Sequence, residues 1–132
     1  MISMIRDKLL ALHRNSYSPY SHFPVSAILI TKDGREYYGV NVEDASYRAG
    51  ACAERVAIFS AIADGCKKGD FKEINIMVSG GNVGEPCFVC RQMFAELFEE
   101  DIVIRCFATT GENRVFKLSE LCPHPFNSED LG

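Results

Sequence analysis

The stretch INIMVSGGNVGEPCFVCRQMFAELFEEDIVIRCFA, residues 74–108, decides the fold. Its opening, INIMVS at 74–79, is a near-continuous apolar run, the pattern of a strand in a sheet covered on both faces. GGNVGEP follows as a glycine-rich loop. Pro86 suits entry to a helix, where its missing N–H would have had no partner. CFVCRQMFAELFEE, 87–100, reads as that helix, apolar at Val89, Met93, Phe94, Leu97 and Phe98. DIVIRCFA, 101–108, is a second strand. Strand, helix and strand in succession imply a parallel pair joined by a right-handed crossover.

Upstream, Ile2, Ile5, Leu9 and Leu12 recur at helical spacing, so residues 2–14 read as an amphipathic helix. SYSPYSHFP, 16–24, is a loop. VSAILIT (25–31) and EYYGVNVE (36–43) flank the tight turn KDGR and form a hairpin. DASYRAGA, 44–51, has no clear period, and ACAERVAIFSAIADG, 51–65, is a helix stopped at Gly65. Downstream, GENR turns into VFKL, a weaker fifth strand, and LSELCPHPF is a short helical turn and tail. The order α-β-β-α-β-α-β-β predicts an α/β fold, with a mixed five-stranded sheet carrying helices on its faces in three α/β/α layers. No repeat or linker divides the chain, so residues 1–132 are expected to form a single domain.

The totals narrow the function. Composition is 47% apolar and 24% charged, as in soluble globular chains. A net charge of −4 argues against a nucleic-acid polymer as partner, which needs a basic surface, and leaves a small ligand open. The N-terminal MISMIRDKLLALHRN is interrupted by Arg6, Asp7 and Lys8 and lacks a signal-peptide pattern. No stretch approaches the roughly 18 apolar residues of a membrane span. A cytoplasmic protein is expected, and its six cysteines are then expected as thiols or metal ligands rather than a disulfide framework.

Cys87 and Cys90 form a CxxC on the first turn of a predicted helix. Taken alone, the pair admits a redox couple, unliganded core thiols, half of a closed four-ligand zinc site, or part of a three-ligand site open to water. Phe88-Val89 between them differs from the small Gly-Pro type of pair found in thioredoxin-like motifs. The other cysteines are isolated, and His13, His22 and His124 form no paired motif, so a three-ligand site is the economical reading. Cys52, at another predicted helix start, is the third candidate. The positive ends of two helices would then favour thiolates. Glu54 lies two residues on, placed to shuttle a proton on the open side of the metal without being a ligand. Cys66, Cys106 and Cys122 read as core or loop thiols.

CAER (52–55) followed by PCxxCRQ (86–92) resembles the zinc-dependent cytidine deaminases, in their short-chain form with three cysteine ligands. The resemblance extends to PYSHFPVSA (19–27), NVEDASY (41–47) and LCPHPF (121–126), nearly the whole chain. It implies one Zn²⁺ per chain on Cys52, Cys87 and Cys90, with Glu54 as proton shuttle in the hydrolytic deamination of cytidine and deoxycytidine. It implies that Phe23, Asn41, Glu43 and Ala53 contact a free cytosine nucleoside, with Phe23 against the base and the polar groups on the ribose. Taken alone, Phe23 would read as core, and Asn41 and Glu43 as a solvated strand end. Arg55 is expected to hydrogen-bond a ligand sulfur and offset the charge of three thiolates on Zn²⁺, against the plainer reading of a surface ion pair. The resemblance further implies a homotetramer, or at least a dimer, in which Phe126 reaches into a neighbour's pocket.

The chain departs from the family pattern at four places. Phe88 stands where Gly is usual, Ser26 replaces a Gly after FPV, Asp44 replaces an Asn, and residues 48–51 differ before the CAE motif. These departures bear on substrate choice. They keep open a modified cytosine nucleoside or an aminoacylnucleoside antibiotic as substrate, beside a catalytically silent zinc-binding module. The acidic balance and the lack of basic, aromatic-rich insertions argue against editing of polynucleotides.

Overall fold

A computed structural model describes residues 1–132. The elements are α1 (Ile2–His13), β1 (Ser26–Thr31), β2 (Glu36–Val40), α2 (Ala53–Ala63), β3 (Phe71–Met77), α3 (Phe88–Leu97), β4 (Val103–Phe107), β5 (Asn113–Phe116), α4 (Leu118–Leu121) and a terminal 3-10 turn, Ser128–Leu131. The sheet order is β2-β1-β3-β4-β5. β3 and β4 are its parallel pair, bridged by α3 as the 74–108 stretch predicts, and the other neighbours run antiparallel. No helix is long and apolar enough to cross a membrane.

Period-two alternation divides the strands between two layers. Ala27, Leu29, Ile74, Ile76 and Ile104 join Ala57, Ile58, Phe94 and Phe98 of α2, α3 and the residue after α3 in the larger core. Ile28, Met77 and Phe107 turn the other way and meet Leu9 of α1. Ser26 is buried there, and its Oγ donates to Leu9 O at 2.8 Å. That bond gives the hydroxyl at this unusual position a structural use, tying α1 to β1.

Element ends shift from the sequence expectation for identifiable reasons. The hairpin strand stops at Val40 rather than 43. The Asn41 side chain turns to the loop backbone, accepting from Val25 N at 2.9 Å and donating to Phe23 O at 2.9 Å. Val42 pairs with Tyr17 and Ala51 in isolated bridges. β3 begins at Phe71, earlier than the apolar run, because Phe71 pairs with Thr31 and the polar Glu73 with Ile30, with Lys72 left as a bulge between them. β5 covers 113–116 rather than VFKL, since Lys117 already caps α4. The expected helices 51–65 and 87–100 begin at 53 and 88, with Cys52 and Cys87 as their N-caps.

α2 lies unusually close to the sheet. Ala53, Ala57 and Ala61 are all fully buried and share one helix face at i, i+4 and i+8. Opposite them is Gly39 of β2. A Cβ there would stand 2.0 Å from Ala53 O and 2.7 Å from Ala57 N. Both are backbone atoms, so neither can move aside without moving the helix. Gly39→Ala is therefore expected to cost about 3 kcal/mol in urea denaturation. Gly34→Ala, in the exposed hairpin turn at φ +91° with open space around its Cβ, is expected to cost about 1 kcal/mol. Equal midpoints for the two variants would reject the close-approach argument.

Candidate active site

The N-terminal ends of α2 and α3 meet beyond the carboxyl end of β3. Cys52 and Cys87 are N-caps with extended backbone, and neither side chain is used in a capping hydrogen bond. Both sulfurs are thereby left free for another partner. Cys90, in the first turn of α3, is fully buried. The three Sγ atoms lie within 4.8 Å of one another, and Cys52 and Cys87 are 3.5 Å apart. Tetrahedral zinc with Zn–S bonds of ~2.3 Å sets ligand sulfurs about 3.8 Å apart, so the donor set fits one such ion. The remaining cysteines stay outside. Cys66 and Cys106 are buried, and burial pushes the Cys106 thiol up to about 12.

The electrostatics favour a thiolate at Cys52. Hydrogen bonding with Cys90 pulls the Cys52 thiol down to about 5 against the effect of burial, and Arg55 adds to it. Cys90 is pushed up correspondingly, as the member that keeps its proton longest. Arg55, in the first turn of α2, donates from Nη2 to Cys52 Sγ at 3.5 Å.

Glu54 is only 4% exposed, and no basic side chain pairs with it. Burial pushes its carboxyl up to about 7. It opens on a cavity of about 380 Å³ whose wall includes Phe23, Asn41, Glu43, Cys52, Ala53 and Cys87, with Val25, Val78 and Pro86 supplying apolar surface. That volume suits a small ligand. A second hollow of about 350 Å³ adjoins it on the Tyr20–Tyr47 side and shares Ser21, Asn41, Glu43 and Cys52. Seven of the sequence candidates, two of the three candidate sulfurs among them, thus line one cavity.

Asn41 and Glu43 carry a duty that sequence reasoning missed. Asn41 Oδ1 accepts from Ser16 Oγ at 2.5 Å as well as from Val25 N. Glu43 Oε1 accepts from Tyr20 N and Ser21 N, both at 3.1 Å, and Oε2 accepts from Ser21 Oγ. The Ser21 hydroxyl and backbone hold the Glu43 carboxyl below the usual carboxylate range. Both side chains fix the 16–25 loop while facing the cavity. Asp44 organises the next loop in the same way. Its carboxylate accepts from the backbone N–H groups of Ser46, Ala49 and Gly50, each at 3.0 Å, and from Ser46 Oγ. An acidic residue where an amide is usual therefore gives residues 46–50 an ionic anchor.

Two residues lie away from the cavity. Phe88 is 76% exposed, with the Arg91 guanidinium 4.3 Å above its ring, and it forms no part of either cavity wall. Phe126 is 59% exposed and is not brought to this chain's own cavity. Its backbone pairs instead with the side chain of Gln92, a residue quoted in the RQ of the second motif but given no role there. Glu85 also joins the cavity wall unannounced, and the only signal for it was its place beside Pro86.

A family model for the cytidine and deoxycytidylate deaminase zinc-binding region matches residues 3–106. A cytidine deaminase of Sporosarcina psychrophila is 34% identical over 130 residues, covering 96% of this chain and 94% of that one. One from Halalkalibacterium halodurans is 35% identical over 129 residues, covering 98% and 96%. The crystal structure of cytidine deaminase from Burkholderia pseudomallei superimposes with a TM-score of 0.89 at 36% identity, covering 94% of this chain and 98% of that one. The fold, the cysteine cluster and these near-full-length likenesses agree, and the chain belongs to the cytidine and deoxycytidylate deaminase family of zinc-binding proteins.

Proposed function

We propose that residues 1–132 act as one catalytic domain that hydrolyses cytidine and deoxycytidine to uridine and deoxyuridine, releasing ammonia in pyrimidine salvage. The observation that carries this reading is a buried Glu54 carboxyl, without a salt-bridge partner, opening on the cavity bordered by Cys52 and Cys87 of the three-sulfur cluster. A purely structural metal site has no use for that carboxyl, and leaving it buried is costly. Zinc held by Cys52, Cys87 and Cys90 would supply the Lewis acidity that makes water a nucleophile near neutral pH. Glu54 takes a proton from the attacking water and delivers it to N3 of the base as the water oxygen bonds to C4. The same carboxylate then takes the remaining proton from the hydroxyl on C4 and passes it to the exocyclic nitrogen as the C4–N bond breaks, leaving a C4 carbonyl and ammonia.

Phe23 is assigned to the base and Ala53 to the wall beside it, with Asn41 and Glu43 on the sugar. The cavity wall carries Glu43, Glu54 and Glu85 and no lysine or arginine, which supports an uncharged nucleoside over its phosphate ester. Phe88 stands outside that wall, which favours the plain nucleoside over a modified one. A cytoplasmic location is part of this reading. So is assembly of the chain as a homotetramer, or at least a dimer, in which Phe126 closes a neighbour's cavity. The exposed Phe126 ring, unused in its own chain, supports that assembly.

Ultraviolet-monitored turnover with zinc quantified is the primary test. Cytidine and deoxycytidine are expected to be consumed, and cytidine monophosphate to be a poor substrate. Glu54→Gln is expected to keep the fold and the zinc while kcat falls roughly a thousandfold. Near-wild-type turnover in that variant would reject the mechanism. Arg55→Gln is expected to weaken zinc retention against a chelator by about tenfold. Unchanged retention would leave Arg55 no part in holding the metal. Co-expressed Glu54→Gln and Phe126→Ala chains are expected to recover both the turnover that Glu54→Gln lacks and the low KM that Phe126→Ala lacks, because one supplies the ring and the other the carboxyl. No recovery would reject the shared site.

A further inference from the structure

We propose that Gln92 is a positioning residue for Phe126, its side-chain amide setting the direction in which the ring leaves this chain. The inference rests on the role for Phe126 proposed above and adds the residue that makes the role possible. Gln92 Nε2 donates to Phe126 O at 2.5 Å, and Phe126 N donates to Gln92 Oε1 at 3.1 Å. The Phe126 backbone makes no other hydrogen bond. An amide offers one donor and one acceptor side by side, which matches the C=O and N–H of a single residue. A carboxylate offers no donor, and an aliphatic side chain offers neither.

The neighbouring residue secures the other end of the segment. Arg91 donates from Nε to Pro86 O at 2.7 Å and from Nη1 to Leu121 O at 3.1 Å. Between Leu121 and Phe126 stand Pro123 and Pro125, which fix their own φ and restrict the residues before them. Beyond Phe126, Asn127 caps the terminal 3-10 turn, accepting from Glu129 N at 3.0 Å, while its own N–H donates to Asp130 at 2.8 Å. A stiffened segment is thus held at both ends by consecutive residues of α3, the helix that also carries Cys87 and Cys90. Phe126 is 59% exposed and belongs to neither hydrophobic core. Its direction follows from its backbone, and the two Gln92 hydrogen bonds hold that backbone.

The test is steady-state kinetics with cytidine on wild type, Gln92→Leu, Gln92→Glu, Phe126→Ala and the Gln92→Leu/Phe126→Ala double variant. Zinc content and oligomeric state are measured on each. Loss of two hydrogen bonds predicts a rise in KM of about tenfold for Gln92→Leu, with kcat and zinc content little changed. Gln92→Glu, which keeps only the acceptor, is expected to fall between. The double variant is expected to match Phe126→Ala, because both changes remove one device. Amide exchange supplies a readout independent of turnover and assembly. The Phe126 N–H is expected to be protected in the wild type and unprotected in Gln92→Leu. An impaired Phe126→Ala beside a wild-type KM for Gln92→Leu would overturn this inference alone, as would additive losses or an unprotected Phe126 amide in the wild type. A Phe126→Ala enzyme indistinguishable from wild type would overturn the shared-site reading beneath it.

Discussion

The backbone of α2 rests on the backbone of β2 at Gly39, and the position of the whole site follows from that contact. Ala53 and Ala57 can come this close only because the strand carries no side chain opposite them. The same placement puts Cys52 at the helix entrance and Glu54 inside the cavity, each one residue from Ala53. A helix held a few ångströms further out would keep its amphipathic pattern and its core, yet it would carry Cys52 away from Cys87 and Cys90. Close-packed interiors transmit such shifts rather than absorbing them. The requirement for a small residue at position 39 is therefore as much a demand of the metal cluster as of the sheet.

Rigidity elsewhere in the site comes from polar side chains that serve the scaffold and the cavity together. Asn41 and Glu43 hold the 16–25 loop through the N–H groups of Val25, Tyr20 and Ser21, and Asp44 holds 46–50 through those of Ser46, Ala49 and Gly50. A loop built this way presents its side chains without reorganising when a ligand arrives, which lowers the cost of binding. Ser26, Asp44 and Phe88, the three single-residue departures from the family pattern apart from the 48–51 segment, each have a local use: a tie to α1, a loop anchor and a platform under Arg91. None of the three side chains blocks the space in front of Glu54.

Stability and chemistry pull against each other at Glu54 and the sulfurs. A carboxyl buried without a cationic partner destabilises the fold whenever it is ionised, and crowded thiols repel one another once they lose their protons. Surrounding apolar packing from Ala53, Ala57 and Ile58 on α2 and from Phe94 on α3 offsets this cost. Proteins retain such unfavourable groups where a low-dielectric site makes each charge count for more.

Much of this was legible in the sequence because periodicity and punctuation report local structure. The apolar run at 74–79, the helix carrying the CxxC and the following strand sufficed for the parallel crossover. Motif spacing marked Cys52, Glu54, Cys87 and Cys90. Strand ends were misplaced where long-range pairing overrode local composition, as at Lys72-Glu73 and at Asn41. Sequence alone could not show that Phe88 faces outward, because helical spacing does not say which surface covers a helix's first turn. Nor could it show that Gly39 lies under α2, or that Gln92 holds the backbone N–H and C=O of a residue 34 positions away. The sequence by itself determined the elements, their order and the chemical identity of the donors. Only the tertiary structure decided which backbones touch and which side chains share a cavity, because those distances arise from packing between segments remote in the chain.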